Sequence, residues 1–354
     1  MVVGLIVRRL FFLVFVLIAL SAITFSLMRL VPSNPARNIA GPRASPEAVE
    51  KIKEQYGLDE PVLNQYMTYM KGIVRFDFGT SIVTRRPVSE DLRRYLPATL
   101  ELAVLSLLFA LVFGLPLGVL SAVKKDSVID AFGRVVSVLG LSVPSFWLAI
   151  VIQFFFFARL GWFPDGQRLP IGTDPPRTIT TFYTIDSLLT LNFGTFWTSI
   201  EHLALPVFTL GFISLAPITR MIRSGMLEVL GQDYIRTARA KGLRQNTVIV
   251  RHAIQNAALP ALTVIGLQLG LLLAGTLLVE IIFSWPGIGR YAYDSIRNQD
   301  PNSLISVTLI IGAGYVFVNL LVDVSYMFLD QGFACHDQYN QNRRRSRSAR
   351  TGRN

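Results

Sequence analysis

Few residues in this chain of 354 could carry out chemistry. The single cysteine, Cys335, excludes an intramolecular disulfide framework and a cysteine-rich metal site. The three histidines (His202, His252 and His336) are scattered and show no metal-ligand spacing, so we expect no metal site. The sequence contains no phosphate-binding loop, no H-E-x-x-H motif and no G-x-S-x-G nucleophile elbow. We therefore predict no catalytic residue and no bound cofactor in this chain, and any active work needs an outside source of energy.

Two polar residues, Asn319 and Asp323, lie one helical turn apart within an apolar run. A carboxylate at the centre of a membrane helix costs about 2.5–3.5 kcal/mol, so Asp323 is expected to face other helices or water. Two interpretations stay open: a site for a transported ion or proton on a pathway, or a structural hydrogen bond or interfacial position near the cytoplasmic end of the helix. Glu280 lies near the end of another apolar run and is expected close to the outer surface of the membrane.

A short basic stretch, residues 233–246 with the sequence DYIRTARAKGLRQN, separates two long apolar runs. If it is helical, Ile235, Ala238 and Gly242 share one narrow stripe flanked by cations. That stripe is a candidate docking surface for an acidic groove on a partner. The alternative is a helix that lies on the membrane surface and is anchored by its arginines. Gly242 is expected to end the helix, because glycine readily adopts the left-handed conformation.

The composition places these residues in a membrane protein. The chain is 51% hydrophobic and 16% charged, with a mean hydropathy of +0.46, whereas a soluble protein carries about 25% charged residues. The net charge of +11 would also suit a nucleic-acid-binding protein. However, the basic residues lie between long apolar runs, and the bilayer accounts for them without nucleic acid.

The sequence predicts an all-α, polytopic membrane protein with six transmembrane helices. A hydrocarbon core about 30 Å thick needs roughly 20 mostly apolar residues per helix. The predicted spans are about Leu10–Leu30, Leu100–Val123, Val135–Ala158, Leu203–Met221, Leu259–Phe283 and Leu304–Leu329. The first run could instead be a cleaved signal peptide, but it is longer than usual and no A-x-A site follows, which favours a retained span.

The distribution of basic residues predicts the orientation. With the N-terminus in the cytoplasm, 18 Lys and Arg residues fall in inside segments and 14 fall in outside segments that are much longer. Cytoplasmic loops carry the excess of positive charge, so both termini and residues 233–246 are expected in the cytoplasm. The basic tail, residues 331–354, is predicted to be disordered and to interact with anionic lipid.

Several local features should shape the helices. Ser45 is a predicted N-cap for a short helix that begins at Pro46, and Gly57 is its predicted end. The pairs Gly114/Gly118 and Gly266/Gly270 predict close helix packing. Prolines in or beside the apolar runs should interrupt backbone hydrogen bonds. They are Pro116, Pro144, Pro206, Pro217 and Pro260.

At the basic stretch, the sequence resembles the permease subunits of binding-protein-dependent ABC importers, and most closely the B-type subunits of the dipeptide/oligopeptide group. The segment YIRTARAKGL (Tyr234–Leu243) is similar to the family's EAA loop, with Arg236, Thr237 and Ala238 at the E-A-A positions. Further segments on both sides of this loop also resemble the family, and they occur in the family's order along the chain. They are YGLDEPVLNQY (Tyr56–Tyr66), FDFGTS (Phe76–Ser81), RRPV (Arg85–Val88), LPATLEL (Leu96–Leu102), GLSVPSFWLA (Gly140–Ala149), RHAIQNAALPALT (Arg251–Thr263), VEIIFSWPGIGR (Val279–Arg290) and NLLVDVSYMFLD (Asn319–Asp330). The sequence after Asp330 departs from the family pattern.

The resemblance implies a type I ABC importer permease fold and an importer of di- or oligopeptides in the cytoplasmic (inner) membrane. Implied partners are a second, homologous permease subunit, two cytoplasmic ATPase subunits that use ATP and Mg, and an extracytoplasmic peptide-binding protein. The implied ATPase-coupling residues are Tyr234, Ile235, Arg236, Thr237, Ala238, Arg239, Ala240, Lys241 and Gly242.

The implied division of the chain has four parts. They are 1–30 (N-terminal end and first span), 31–95 (extracytoplasmic region), 96–330 (the transmembrane module, with a coupling loop at about 222–256) and 331–354 (the tail). Two alternatives remain: the same importer architecture for nickel, glutathione or an oligosaccharide, and a self-contained ion-coupled carrier or channel.

Overall fold

The computed structural model of the chain describes residues 2–30, 36–37, 44–55 and 59–329. Within these ranges the regular structure is helical, and we number the helices in chain order. They are α1 (Val2–Leu30), α2 (Pro46–Gln55), α3 (Val62–Val74), α4 (Val88–Val123), α5 (Val128–Ser142), α6 (Ser145–Arg159), α7 (Tyr183–Leu189), α8 (Phe193–Leu230), α9 (Asp233–Ala240), α10 (Gln245–Gly275), α11 (Leu277–Ile282), α12 (Ile288–Arg297) and α13 (Pro301–Leu329). Both α6 and α10 include a π-helical stretch, at Gln153–Arg159 and Val248–Ala253. The predicted stop at Gly57 and the tail 331–354 lie outside the described residues.

Four helices are long and apolar enough to cross a membrane: α4, α8, α10 and α13. The pair α5 and α6 qualifies as a fifth crossing, although its two helices meet at 105°. In α1, the apolar stretch whose side chains are described is Phe11–Leu27, which is shorter than the 18 residues required of a candidate span. The described residues therefore support four or five crossings by length and composition, where the sequence predicts six.

The predicted third span, Val135–Ala158, is broken rather than continuous. Helix α5 ends at Ser142, Val143 adopts an extended conformation, and Pro144 is the N-cap of α6. Proline restricts the preceding residue to extended conformations, which explains why the helix stops here. The other four prolines lie inside helices α4, α8 and α10.

Both glycine pairs lie where two helices come close, as predicted. A Cβ atom on Gly118 would stand 2.8 Å from the carbonyl oxygen of Thr219 and 2.9 Å from Cβ of Ile222, so α4 and α8 fit only with glycine there. Gly266 on α10 is similarly covered by Val322 of α13. Small residues let helix backbones approach closely in a membrane, and α8 becomes the central helix of the bundle.

The short helix α2 also confirms a local prediction. The backbone N–H of Ala48 donates to Oγ of Ser45 at 3.2 Å, Pro46 is the first helical residue and Glu47 lies in the first turn. A serine N-cap satisfies one of the free N–H groups at a helix start.

Candidate functional site: the α9 helix and buried ionic clusters

Helix α9 stands between the end of α8 and the start of α10. Its C-terminus is closed by two backbone bonds: Gly242 N–H donates to the carbonyl of Arg239 at 2.9 Å, and Leu243 N–H donates to the carbonyl of Ala238 at 3.4 Å. Gly242 has φ of +77°, which favours glycine. This is a Schellman ending, and it confirms Gly242 as the residue that terminates the helix.

The apolar side of α9 faces the protein itself. Ile235 is fully buried and Ala238 is 8% exposed, and both belong to an apolar cluster with Met226 of α8 and Val248 of α10. The prediction that the stripe of Ile235, Ala238 and Gly242 offers a docking surface is therefore wrong for its first two residues. Their apolar side chains do make close contacts, but these contacts are with the chain's own bundle.

The opposite side of α9 is exposed and cationic. The exposed residues of the predicted coupling set are Tyr234, Arg236, Thr237, Arg239, Ala240, Lys241 and Gly242. Arg236 pairs with Asp233 at 3.4 Å, but both groups are largely solvated, so the pair contributes little. Nδ2 of Asn256 donates to the hydroxyl of Tyr234 at 2.8 Å and links α9 to α10. The helix is thus held on one side and presents its arginines on the other.

A buried ion pair joins α5 to α8. Nε and Nη2 of Arg223 donate to the two carboxylate oxygens of Asp130 at 2.6 and 2.9 Å. Asp130 is fully buried, and its Oδ2 also accepts from the backbone N–H of Asp126 at 3.1 Å. A bidentate arginine–carboxylate pair fixes orientation as well as distance. It therefore holds the first turn of α5 in a fixed position relative to the C-terminal part of α8, which leads into α9. No local pattern in the sequence indicates this pair, because its two members are 93 residues apart.

A second buried carboxylate, Glu280 on α11, organises the opposite end of α10. It accepts from Oγ1 of Thr99 at 2.6 Å, Oγ1 of Thr276 at 2.8 Å and the backbone N–H of Arg290 at 2.9 Å. Glu280 is fully enclosed by protein, and its predicted position near the outer surface of the membrane stays a prediction. A Cβ atom on Gly287 would stand 2.5 Å from this carboxylate, which explains a glycine in the sequence WPGIG. Gly287 and Gly289, whose Cβ atoms would both meet this carboxylate, are the signal in the sequence for a closely packed group.

A third cluster surrounds Glu101 of α4. Its carboxylate pairs with the guanidinium of Arg168 and accepts from the backbone N–H and Oγ1 of Thr184 at 2.8 and 2.7 Å. The guanidinium of Arg168 also lies over the ring of Tyr183, 3.5 Å from its centroid. These contacts attach the segment between α6 and α8 to the bundle. A buried charge is costly unless it is paired and hydrogen-bonded, and the Glu101 carboxylate has both kinds of partner.

The remaining predicted residues, Asn319 and Asp323, are half-buried on α13. Their role on a pathway or within the bundle stays a prediction. Among the described residues, no group of three or more His, Cys, Asp and Glu side chains is arranged to hold a metal ion.

These features define a class: a polytopic helical membrane protein whose exposed basic helix is fixed to a bundle of apolar spans. Residues 114–334 match the family described as binding-protein-dependent transport system inner membrane component, and residues 2–103 match the N-terminal family of the same transport systems. The chain belongs to this family.

Named relatives match nearly the whole chain. The dipeptide transport system permease protein DppB of Alkalihalophilus pseudofirmus is 44% identical over 324 residues, which is 91% of this chain and 97% of the relative. The probable D,D-dipeptide transport system permease protein DdpB of Escherichia coli K12 is 44% identical over 91% of this chain and 95% of the relative. The glutathione transport system permease protein GsiC of Salmonella typhimurium is 35% identical over 91% of this chain and 95% of the relative.

Family membership settles the class of function. The chain is a membrane permease subunit of a binding-protein-dependent ABC transport system, located in the inner membrane, and it is not an enzyme. Such a system includes a binding protein and ATPase partners. A self-contained carrier or channel does not fit this membership.

Proposed function

We propose that this chain is one half of a heterodimeric channel that imports di- or oligopeptides, and that the cationic side of α9 couples it to an ATPase subunit. The observation that carries the coupling proposal is the two-sided environment of α9. Ile235 and Ala238 are buried against α8 and α10, while Arg236, Arg239 and Lys241 are exposed. A helix held in this way moves with the bundle when a partner displaces it, which suits rigid-body transmission.

The proposal includes the topology and the partners. The chain crosses the membrane six times with both termini in the cytoplasm, because the segments with the densest basic charge then lie inside. The division is 1–30, 31–95, 96–330 and 331–354, with the coupling loop at about 222–256. The partners are a second, homologous permease, two ATPase subunits that bind ATP and Mg, and a peptide-binding protein on the outer side.

The peptide cargo is proposed from the relatives. Relatives at 40–44% identity are named for dipeptide, D,D-dipeptide or di/tripeptide transport. The second candidate cargo is glutathione, which is itself a tripeptide, because the relatives named for it are 35% identical over the same share of the chain. Uptake of labelled dipeptide, tripeptide and glutathione by cells that express the complete transporter, each with an excess of unlabelled competitor, distinguishes these cargoes.

Charge reversal on the exposed side of α9 tests the coupling. We expect the double variant Arg236→Glu/Arg239→Glu to insert into the membrane normally, to lose peptide uptake and to co-purify poorly with the ATPase subunits. The matched control is Lys51→Glu/Lys53→Glu on α2, which makes the same change of charge outside α9. Normal uptake and normal co-purification by the α9 variant would refute the docking proposal.

A further inference from the structure

Helix α7 and the turn after it have reversed polarity. In α7, the buried residues are polar: Thr184, Asp186 and Ser187. Six large apolar residues of α7 and the following segment are exposed, with 41–74% of each accessible, and Asn192 and Gly194 are exposed beside them. The six are Ile185, Leu188, Leu189, Leu191, Phe193 and Trp197. A helix surrounded by water on its outer side shows the opposite pattern, so water is not the natural environment of this surface.

The buried polar groups are well satisfied inside the protein. Thr184 donates twice to Glu101, as described above. Asp186 accepts from Oγ1 and the backbone N–H of Thr180, both at 2.7 Å, and from the backbone N–H of Thr181 at 3.0 Å. Burial by itself raises the pKa of Asp186, but these hydrogen bonds outweigh it and hold the pKa below its ordinary value. The polar side of α7 is therefore fixed toward the bundle, and the apolar side has no freedom to turn inward.

The exposed side offers little that a protein partner could recognise by hydrogen bonds. Residues 187–200 include no charged side chain. The polar side chains nearby bond to local backbone: Oγ1 of Thr190 donates to the carbonyl of Asp186 at 2.7 Å, and Oδ1 of Asn192 accepts from the N–H of Thr195 at 3.1 Å. Protein–protein interfaces usually include about one hydrogen bond per 100–200 Å². An uncharged and largely apolar surface fits lipid better than a protein partner.

We propose that residues 185–197 lie in the interfacial layer of the bilayer, with the six apolar side chains among lipid headgroups and upper acyl chains. The surface is continuous with α8, which is long and apolar enough to cross a membrane, and Phe193 and Trp197 supply the aromatic residues that favour this layer. Glu201, exposed on the same side of α8, requires a polar environment and limits how deeply the segment lies. The segment then anchors residues 163–187, and the Glu101 cluster they form, to the membrane surface. This inference depends on membrane location and not on the cargo or on ATPase coupling.

Accessibility of spin labels tests the proposal in the assembled transporter. In a Cys335→Ser background, a nitroxide is attached at Leu189→Cys, at Leu191→Cys, or at Asp174→Cys as an exposed control between the same two spans. The complex is placed in nanodiscs of phosphatidylethanolamine and phosphatidylglycerol, and collision with oxygen is compared with collision with a water-soluble nickel chelate, with and without the binding protein.

Lipid contact predicts frequent collision with oxygen and rare collision with nickel at positions 189 and 191, so that their oxygen-to-nickel ratio is several-fold higher than at position 174. Frequent nickel collision at positions 189 and 191 would show contact with water and overturn the proposal. Rare collision with both reagents would show burial against another subunit, or against the binding protein if it appears only on its addition. Either result also overturns it.

Discussion

Replacement of Ile235 by alanine should detach α9 from the bundle. Ile235 and Ala238 are the buried residues of α9, and Ile235 is fully buried. Removal of a buried isoleucine side chain to alanine costs about 2–5 kcal/mol. An isolated helix of eight residues is not stable in water, so an undocked α9 also unfolds. At the lower limit, about 2 kcal/mol corresponds to a roughly 30-fold larger undocked population.

Amide hydrogen exchange of the assembled transporter measures this directly. We expect exchange of the α9 amides to accelerate by about 30-fold or more in Ile235→Ala, and the number of peptides imported per ATP hydrolysed to fall. Ile235→Val should accelerate exchange less, because removing one buried methyl group costs only about 0.5–1.5 kcal/mol of docking free energy. The matched control is Leu243→Ala, which removes an apolar side chain that is 41% exposed in the same loop. Unchanged α9 exchange together with unchanged transport in Ile235→Ala would refute the view that buried contacts hold α9 to the bundle.

Two further predictions concern the buried carboxylates. Gly287→Ala should lower the midpoint of thermal unfolding of the purified complex, because its Cβ would stand 2.5 Å from the carboxylate of Glu280; Gly275→Ala, whose Cβ would meet nothing within 4 Å, is the control and should change it little. Arg223→Met should also lower this midpoint, because Asp130 loses its bidentate partner and keeps only the Asp126 N–H at 3.1 Å and the exposed Arg134 at 3.9 Å. Asp130→Asn in the same chain should recover much of that loss in the same measurement, and a double variant as unstable as Arg223→Met alone would contradict this account.

Local patterns in the sequence predicted the helix ends well. Ser45 and Gly242 lie where a cap was expected, because capping depends on residue type and on hydrogen bonds to atoms only a few positions away. The glycine pairs were also informative, since close packing needs small residues whichever helix is the partner. The third span was only partly predicted: Pro144 marked a break, but the 105° angle depends on how α5 and α6 pack on their neighbours.

The sequence by itself determined that this is a basic, helical membrane protein, and its motifs placed it in the importer permease family, because apolar run length and residue order need no coordinates. Only the tertiary structure decided which side of α9 faces outward, since a stripe of small residues looks the same whether it meets its own bundle or a partner. It also decided the environments of Asp130 and Glu280. Their partners Arg223 and Thr99 are 93 and 181 residues away, and no local period in a sequence records contacts over such distances.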